Sequence, residues 1–121
     1  MRLVERRIRR SDNRDVALRF QIEHARDQAR LEALVLADEQ GLPLAGAGDR
    51  AVCAELAAIA PLMVRTLGMP MPPLLRGADV AVRTFRVHGQ PLYLASVGGT
   101  VARDALLSTS VASVERILAA N

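Results

Sequence analysis

The 121-residue chain has no tryptophan and no lysine, and only three aromatic residues: Phe20, Phe85 and Tyr93. All 16 basic residues are arginine. The single cysteine, Cys53, excludes an internal disulfide and any metal site built on paired cysteines. A domain that folds without a disulfide fits a reducing compartment. Scarce aromatics argue against an RNA-binding surface that stacks bases. Long apolar runs are missing too. The longest spans residues 56–64 and is interrupted by Pro61, far below the ~20 residues needed to span a bilayer. The N-terminus is basic, as in a signal peptide, but no apolar stretch of about 7–15 residues follows it. These absences lead to the expectation of a soluble, cytoplasmic protein with no membrane insertion.

What is present points to one folded domain. Half of the residues are hydrophobic and 24% are charged, which argues against disorder. A chain of this length buries roughly 65–70% of its unfolded surface, enough for a single core. The net charge of +3 is unevenly placed. Residues 1–14 carry six arginines against Glu5 and Asp12, a net +4, while residues 15–121 carry ten arginines against eleven acids, a net −1. This divides the chain into a basic leader, residues 1–13, and a near-neutral domain, residues 14–121. A basic leader can meet phosphate or anionic lipid, or stand as a solvated arm. The uniform use of arginine reads as composition bias.

The cluster Ser11-Asp12-Asn13 supplies N-cap residues, and Leu18, Ile22, Ala25 and Ala29 then recur at helical spacing, flanked by Val16 and Phe20. This predicts an amphipathic helix over residues 14–29. The apolar run 31–37, the turn Asp38-Glu39-Gln40-Gly41 and the run 42–45 predict a β-hairpin, with Gly41 supplying a positive φ. Pro43 cannot donate to a ladder, so its strand should lie at a sheet edge. Asp49 is placed to cap a second helix with Val52, Leu56, Ile59 and Met63 as its stripe, kinked or restarted at Pro61. Residues 68–77, Gly-Met-Pro-Met-Pro-Pro-Leu-Leu-Arg-Gly, are irregular. A second hairpin follows over residues 80–97, turning at His88-Gly89-Gln90. Val80 and Val82 fall on one face of its first strand, and Ala81, Arg83, Phe85 and Val87 on the other. Gly98-Gly99 ends it, Thr100 is placed as a cap, and Leu107, Val111, Val114 and Leu118 form the stripe of a last helix, supported by Ile117. The order α-β-β-α-β-β-α, with hairpins between helices, predicts an α+β fold. It should contain an antiparallel sheet of about four to five strands with helices packed on it.

No assembled catalytic set emerges. Gly46-Ala47-Gly48-Asp49-Arg50-Ala51 fits a dinucleotide-binding pattern, but the strand before it is a hairpin arm and no acid stands about twenty residues on. A loop with an N-cap is the preferred reading, and no cofactor is expected. His24, in a charged helix, and His88, at a turn, read as surface residues, and Cys53 as a buried inert thiol. Ser108, Thr109, Ser110 and Ser113 lack a nucleophile-elbow context. Asp38 and Glu39 read as a solvated turn, with no metal site.

The stretch Leu34-Val35-Leu36-Ala37-Asp38-Glu39-Gln40-Gly41-Leu42-Pro43-Leu44-Ala45, followed by an Ala- and Leu-rich helix, resembles the roadblock / dynein light-chain family, including its bacterial members. The later hairpin leading into a C-terminal helix extends the resemblance over about residues 14–120. Profilin-like and longin-like folds share similar turns. The resemblance implies a small domain with no catalysis of its own that pairs with itself or with a related roadblock-like chain. Family members act as adaptors or as regulators of Ras-like small GTPases, and one bacterial relative accelerates GTP hydrolysis by a gliding-motility GTPase. Relatives usually show three strands after the middle helix, whereas this sequence shows two, so no GTPase-contact residues are carried over.

A two-layer domain with short amphipathic helices leaves apolar surface that a second chain can cover. The candidate contacts are Ala54, Ala58 and Arg65 on the middle helix, and Met69, Met71, Leu74 and Leu75 beyond it. The expected function is a dimeric interaction module that regulates or scaffolds a small GTPase, not an enzyme, with nucleic acid not expected as a partner. The alternative is a small-molecule sensor domain with a pocket beneath residues 69–75.

Overall fold

The computed structural model describes residues 2–66, 68–99 and 103–120. Its first helix, α1 (Arg2–Ala29), does not begin at Ser11-Asp12-Asn13 but runs straight through them. No glycine or proline falls between residues 2 and 29, and the flanking Arg, Leu and Glu residues are strong helix formers. Three mid-helix Ser, Asp and Asn residues each cost well under ~1 kcal/mol, too little to stop a propagating helix. The helix ends where Arg30 turns left-handed (φ 54°), letting the chain enter the sheet at once.

Strand β1 (Leu31–Asp38) is followed by β2 (Pro43–Ala47), and the turn between them is built locally. One carboxylate oxygen of Asp38 accepts from the backbone N–H groups of Gln40 and Leu42 at 2.9 and 3.0 Å. Gly41 supplies φ +83°, and a Cβ there would stand 3.1 Å from the Ala58 Cα, so the turn rests directly on the next helix. That helix, α2 (Arg50–Arg65), is capped by Asp49, whose carboxylate accepts from Ala51 and Val52 N–H. It stays one helix through Pro61 and ends four residues later.

After a 3-10 turn at Pro73–Leu75 come β3 (Val80–Val87), β4 (Gln90–Gly98) and α3 (Arg103–Ala119). The β3–β4 connection has two residues, His88 (φ 51°) and Gly89 (φ 79°), the pair of left-handed positions that a type I′ hairpin turn requires. Thr100, expected as the cap of α3, lies outside the described residues. Arg103 anchors the start of that helix through an ion pair to Asp79 at 2.6 Å and a hydrogen bond donated to the Gly98 carbonyl at 3.2 Å.

The four strands form one antiparallel sheet in the order β2-β1-β4-β3, the lower end of the expected count, with two strands after α2. Pro43 sits on an edge strand, as its missing donor demands. The sheet has a core on each face. Leu34, Leu36, Leu92 and Leu94 meet Leu18, Ile22, Ala25 and Ala29 of α1 and Leu107 and Val114 of α3. On the other face Ala33, Val35, Ala37, Tyr93, Ala95 and Val97 meet Cys53, Leu56, Ala57, Ile59 and Ala60 of α2. Strand β3 splits by parity as expected: Ala81, Phe85 and Val87 join the α1/α3 side, Val80 and Val82 the α2 side. Among the described residues no helix is long and apolar enough to cross a membrane.

Candidate interaction surface

Helix α2 divides into a buried and an exposed face. Leu56, Ala57, Ile59 and Ala60 point into the core, while Ala51, Ala54, Ala58, Leu62 and Arg65 are exposed and share about one quarter of the helix circumference. A stripe of this kind is shallow where the alanines stand, so a facing backbone can approach closely. Leu62 and Arg65 give it bulk and charge at its C-terminal end. The Arg65 guanidinium pairs with Glu39 of the β1–β2 turn at 3.2 Å, both groups being more than half exposed. An exposed pair of this sort contributes at most about 1 kcal/mol and orients the side chain more than it stabilises the fold.

Beside this stripe, the Glu55 carboxylate accepts the Leu74 N–H at 3.1 Å and ties the 3-10 turn to α2. At about three residues per turn, successive residues of that turn point in different directions. Leu74 is therefore 52% exposed and Leu75 fully buried. This corrects the reading of Leu75 as a contact residue: its side chain belongs to the core under α2. Met69 and Met71 are half-buried and pack against the same core. Leu75, Met69 and Met71 thus all pack toward the α2-side core, on the segment under which the alternative reading put a sensor pocket.

The structure therefore brings Ala54, Ala58 and Arg65 onto one face with Leu74 beside them, and turns Leu75 inward. Leu62 and Val64 on α2, and Leu42 and Leu44 on the hairpin, are exposed large aliphatics that sequence reasoning missed. Leu62 was within reach, since it follows Ala58 by four residues. Leu42 and Leu44 were read as strand residues, but Leu42 falls in the turn before β2 and Leu44 on that edge strand, and both stay exposed.

The remaining candidates resolve into structural roles. Gly46 and Gly48 are there for packing. A Cβ on Gly48, which has φ +114°, would lie 2.6 Å from the Glu32 carbonyl oxygen, and one on Gly46 would meet the Cys53 Sγ at 3.4 Å. The dinucleotide pattern is thus a tight strand-to-helix junction with Asp49 as cap. Cys53 is buried and donates to the Ala47 carbonyl at 3.5 Å. Burial, and secondarily the Asp49 carboxylate, pushes its thiol pKa up, which lowers its nucleophilic form. Ser108, Thr109 and Ser110 donate their hydroxyls to the carbonyls four residues back, at 3.1, 3.1 and 2.8 Å. His24 and His88 are exposed.

No family model matches the chain, and no curated protein matches it in sequence. Among solved structures, Myxococcus xanthus MglB superposes with a TM-score of 0.62 at 13% sequence identity, over 85% of this chain and 88% of that chain. At that identity the likeness concerns the fold: the chain has a roadblock-like α+β architecture, as the hairpin motif and the element order lead one to expect.

Proposed function

We propose that this protein is a non-catalytic, dimeric regulator of a Ras-like small GTPase, and that two copies pair through the outer face of α2. The observation that carries the reading is the placement of exposed aliphatic side chains. Leu62 stands on that face of α2, and Leu42, Leu44 and Leu74 lie on the turns and strand beside it. Single exposed aliphatics need no explanation, but a group of them around a shallow alanine stripe marks an interaction surface. A two-fold pairing of helices uses such a stripe twice, because each copy presents the same patch to the other. The fold shared with MglB, together with the resemblance of the first hairpin to roadblock proteins, supports a GTPase as the further partner.

Sedimentation equilibrium of the full chain tests the pairing. The native protein is expected to dimerise, and Leu62→Asp to remain folded but monomeric, since it places a charge in the seam without touching the core. A native monomer at high concentration would overturn the dimer. For the partner, capture of a GTP-loaded small GTPase by the native protein, with a changed rate of GTP hydrolysis, is the expected result. A melting temperature raised by a metabolite instead would favour a sensor.

A further inference from the structure

We propose that Leu62 of each copy enters a recess beside α2 of the other, so that the two α2 helices pair antiparallel. The inference rests on the pairing through α2 and adds its direction and register. The recess lies between the edge strand β2 and the first half of α2, and its volume is about 570 Å³. Pro43, Gly46 and Gly48 line it on the strand side, and Ala51, Cys53 and Ala54 on the helix side. Each of these side chains is small or absent, which is why space remains there. The space is ample for the four side-chain carbons of a leucine.

The second observation is the order of side chains along the exposed stripe of α2. Ala51, Ala54 and Ala58 come first, and Leu62 follows, 46% exposed. The stripe therefore has a projection at its C-terminal end. At its N-terminal end, where Ala51 and Ala54 border the recess, it has a depression. The intervals of three, four and four residues are nearly palindromic. Let two such helices cross antiparallel about a two-fold axis between Ala54 and Ala58. Each Ala54 then faces the partner's Ala58, and each Leu62 faces the partner's Ala51. The projection of each copy meets the depression of the other at both ends of the seam.

Size and charge oppose the parallel alternative. With the axis along the helices, Leu62 would crowd against its own counterpart, and the alanines would face each other across a gap with both recesses empty. Arg65, at the same end of the stripe, would also face a second Arg65, which like charge disfavours. Antiparallel pairing sends Arg65 toward Asp49 and Arg50 instead, whose charges offset, and it sets the two helix dipoles against each other. A small apolar ligand would fill the recess but leave Leu62 in water. A second copy accounts for both features.

The test uses the only cysteine of the chain, which stands in the recess. Leu62→Cys is oxidised with copper phenanthroline at a concentration where sedimentation shows it to be dimeric. A disulfide from residue 62 of one chain to Cys53 of the other is expected, found by peptide mapping and lost when Cys53→Ala is added. Without any cross-link, Leu62→Ala should weaken dimerisation roughly tenfold or more. Ala51→Leu combined with Leu62→Ala should recover most of that loss, because the new leucine fills the recess from the opposite side of the same seam. A link between the two residues 62 would mean parallel helices and would overturn the proposal. A dimer that Leu62→Asp dissociates, but that shows neither the link to Cys53 nor the recovery, would overturn it while leaving the pairing through α2 standing. A native monomer would overturn both. Undiminished dimerisation in Leu62→Ala, with a melting temperature raised by a metabolite, would assign the recess to a small ligand.

Discussion

The two faces of the sheet are built from different materials. Toward α1 and α3, β1 and β4 present Leu34, Leu36, Leu92 and Leu94; toward α2 the alternate positions present Ala33, Val35, Ala37, Ala95 and Val97, with Tyr93 the one large exception. Helix α2 answers with Ala57 and Ala60, and Gly41 approaches it so closely that a Cβ would stand 3.1 Å from the Ala58 backbone. One side is a thick layer that holds most of the large buried side chains. The other is a thin layer in which a helix lies close to the sheet. Among the described residues the thin side also has the greater share of uncovered aliphatics, which suits a face completed by a second chain.

Mutations that trade volume between the two sides test this difference. Leu36→Ala, on the thick side, should lose about 2–5 kcal/mol in a urea titration, because a fully buried leucine leaves a cavity that its neighbours only partly fill. Ala57→Leu, on the thin side, should lose about 1–3 kcal/mol for the opposite reason, since no space exists for the added carbons. If Ala57→Leu left stability unchanged, α2 would not be closely packed and the contrast between the layers would fail. The smallest effect is expected at Ser96, which lies on the thick side in register with Leu34 and Ala81. Its hydroxyl is fully buried and has no hydrogen-bond partner in the structure. Ser96→Ala should therefore raise the unfolding free energy by about 1 kcal/mol, the desolvation cost of that hydroxyl. A loss of stability would show that the hydroxyl has a partner in solution.

Legibility in the sequence followed the range of the interactions involved. The first hairpin could be read because its turn is made by Asp38 bonding two nearby N–H groups and by Gly41 taking a positive φ. The edge position of β2 could be read because Pro43 lacks a donor. The start of α1 could not, because a capping cluster decides only where the neighbouring residues are weak helix formers, and here they are strong ones. The candidate surface was legible on α2, where helical spacing puts Ala54, Ala58 and Arg65 together. It was not legible beyond α2, where Leu74 and Leu75 are equivalent by composition.

By itself the sequence determined the element order, the antiparallel character of the sheet and the stripes of α1, α2 and α3. Each of these depends on periodicity and on turn residues a few positions apart. Only the tertiary structure decided that Leu75 is core and Leu74 surface, that Val16 and Phe20 face away from the sheet, and that one sheet face is thick and the other thin. Those outcomes depend on which element covers which. That is set by the register of β1 against β4 and by the seating of each helix, contacts between residues far apart in the chain.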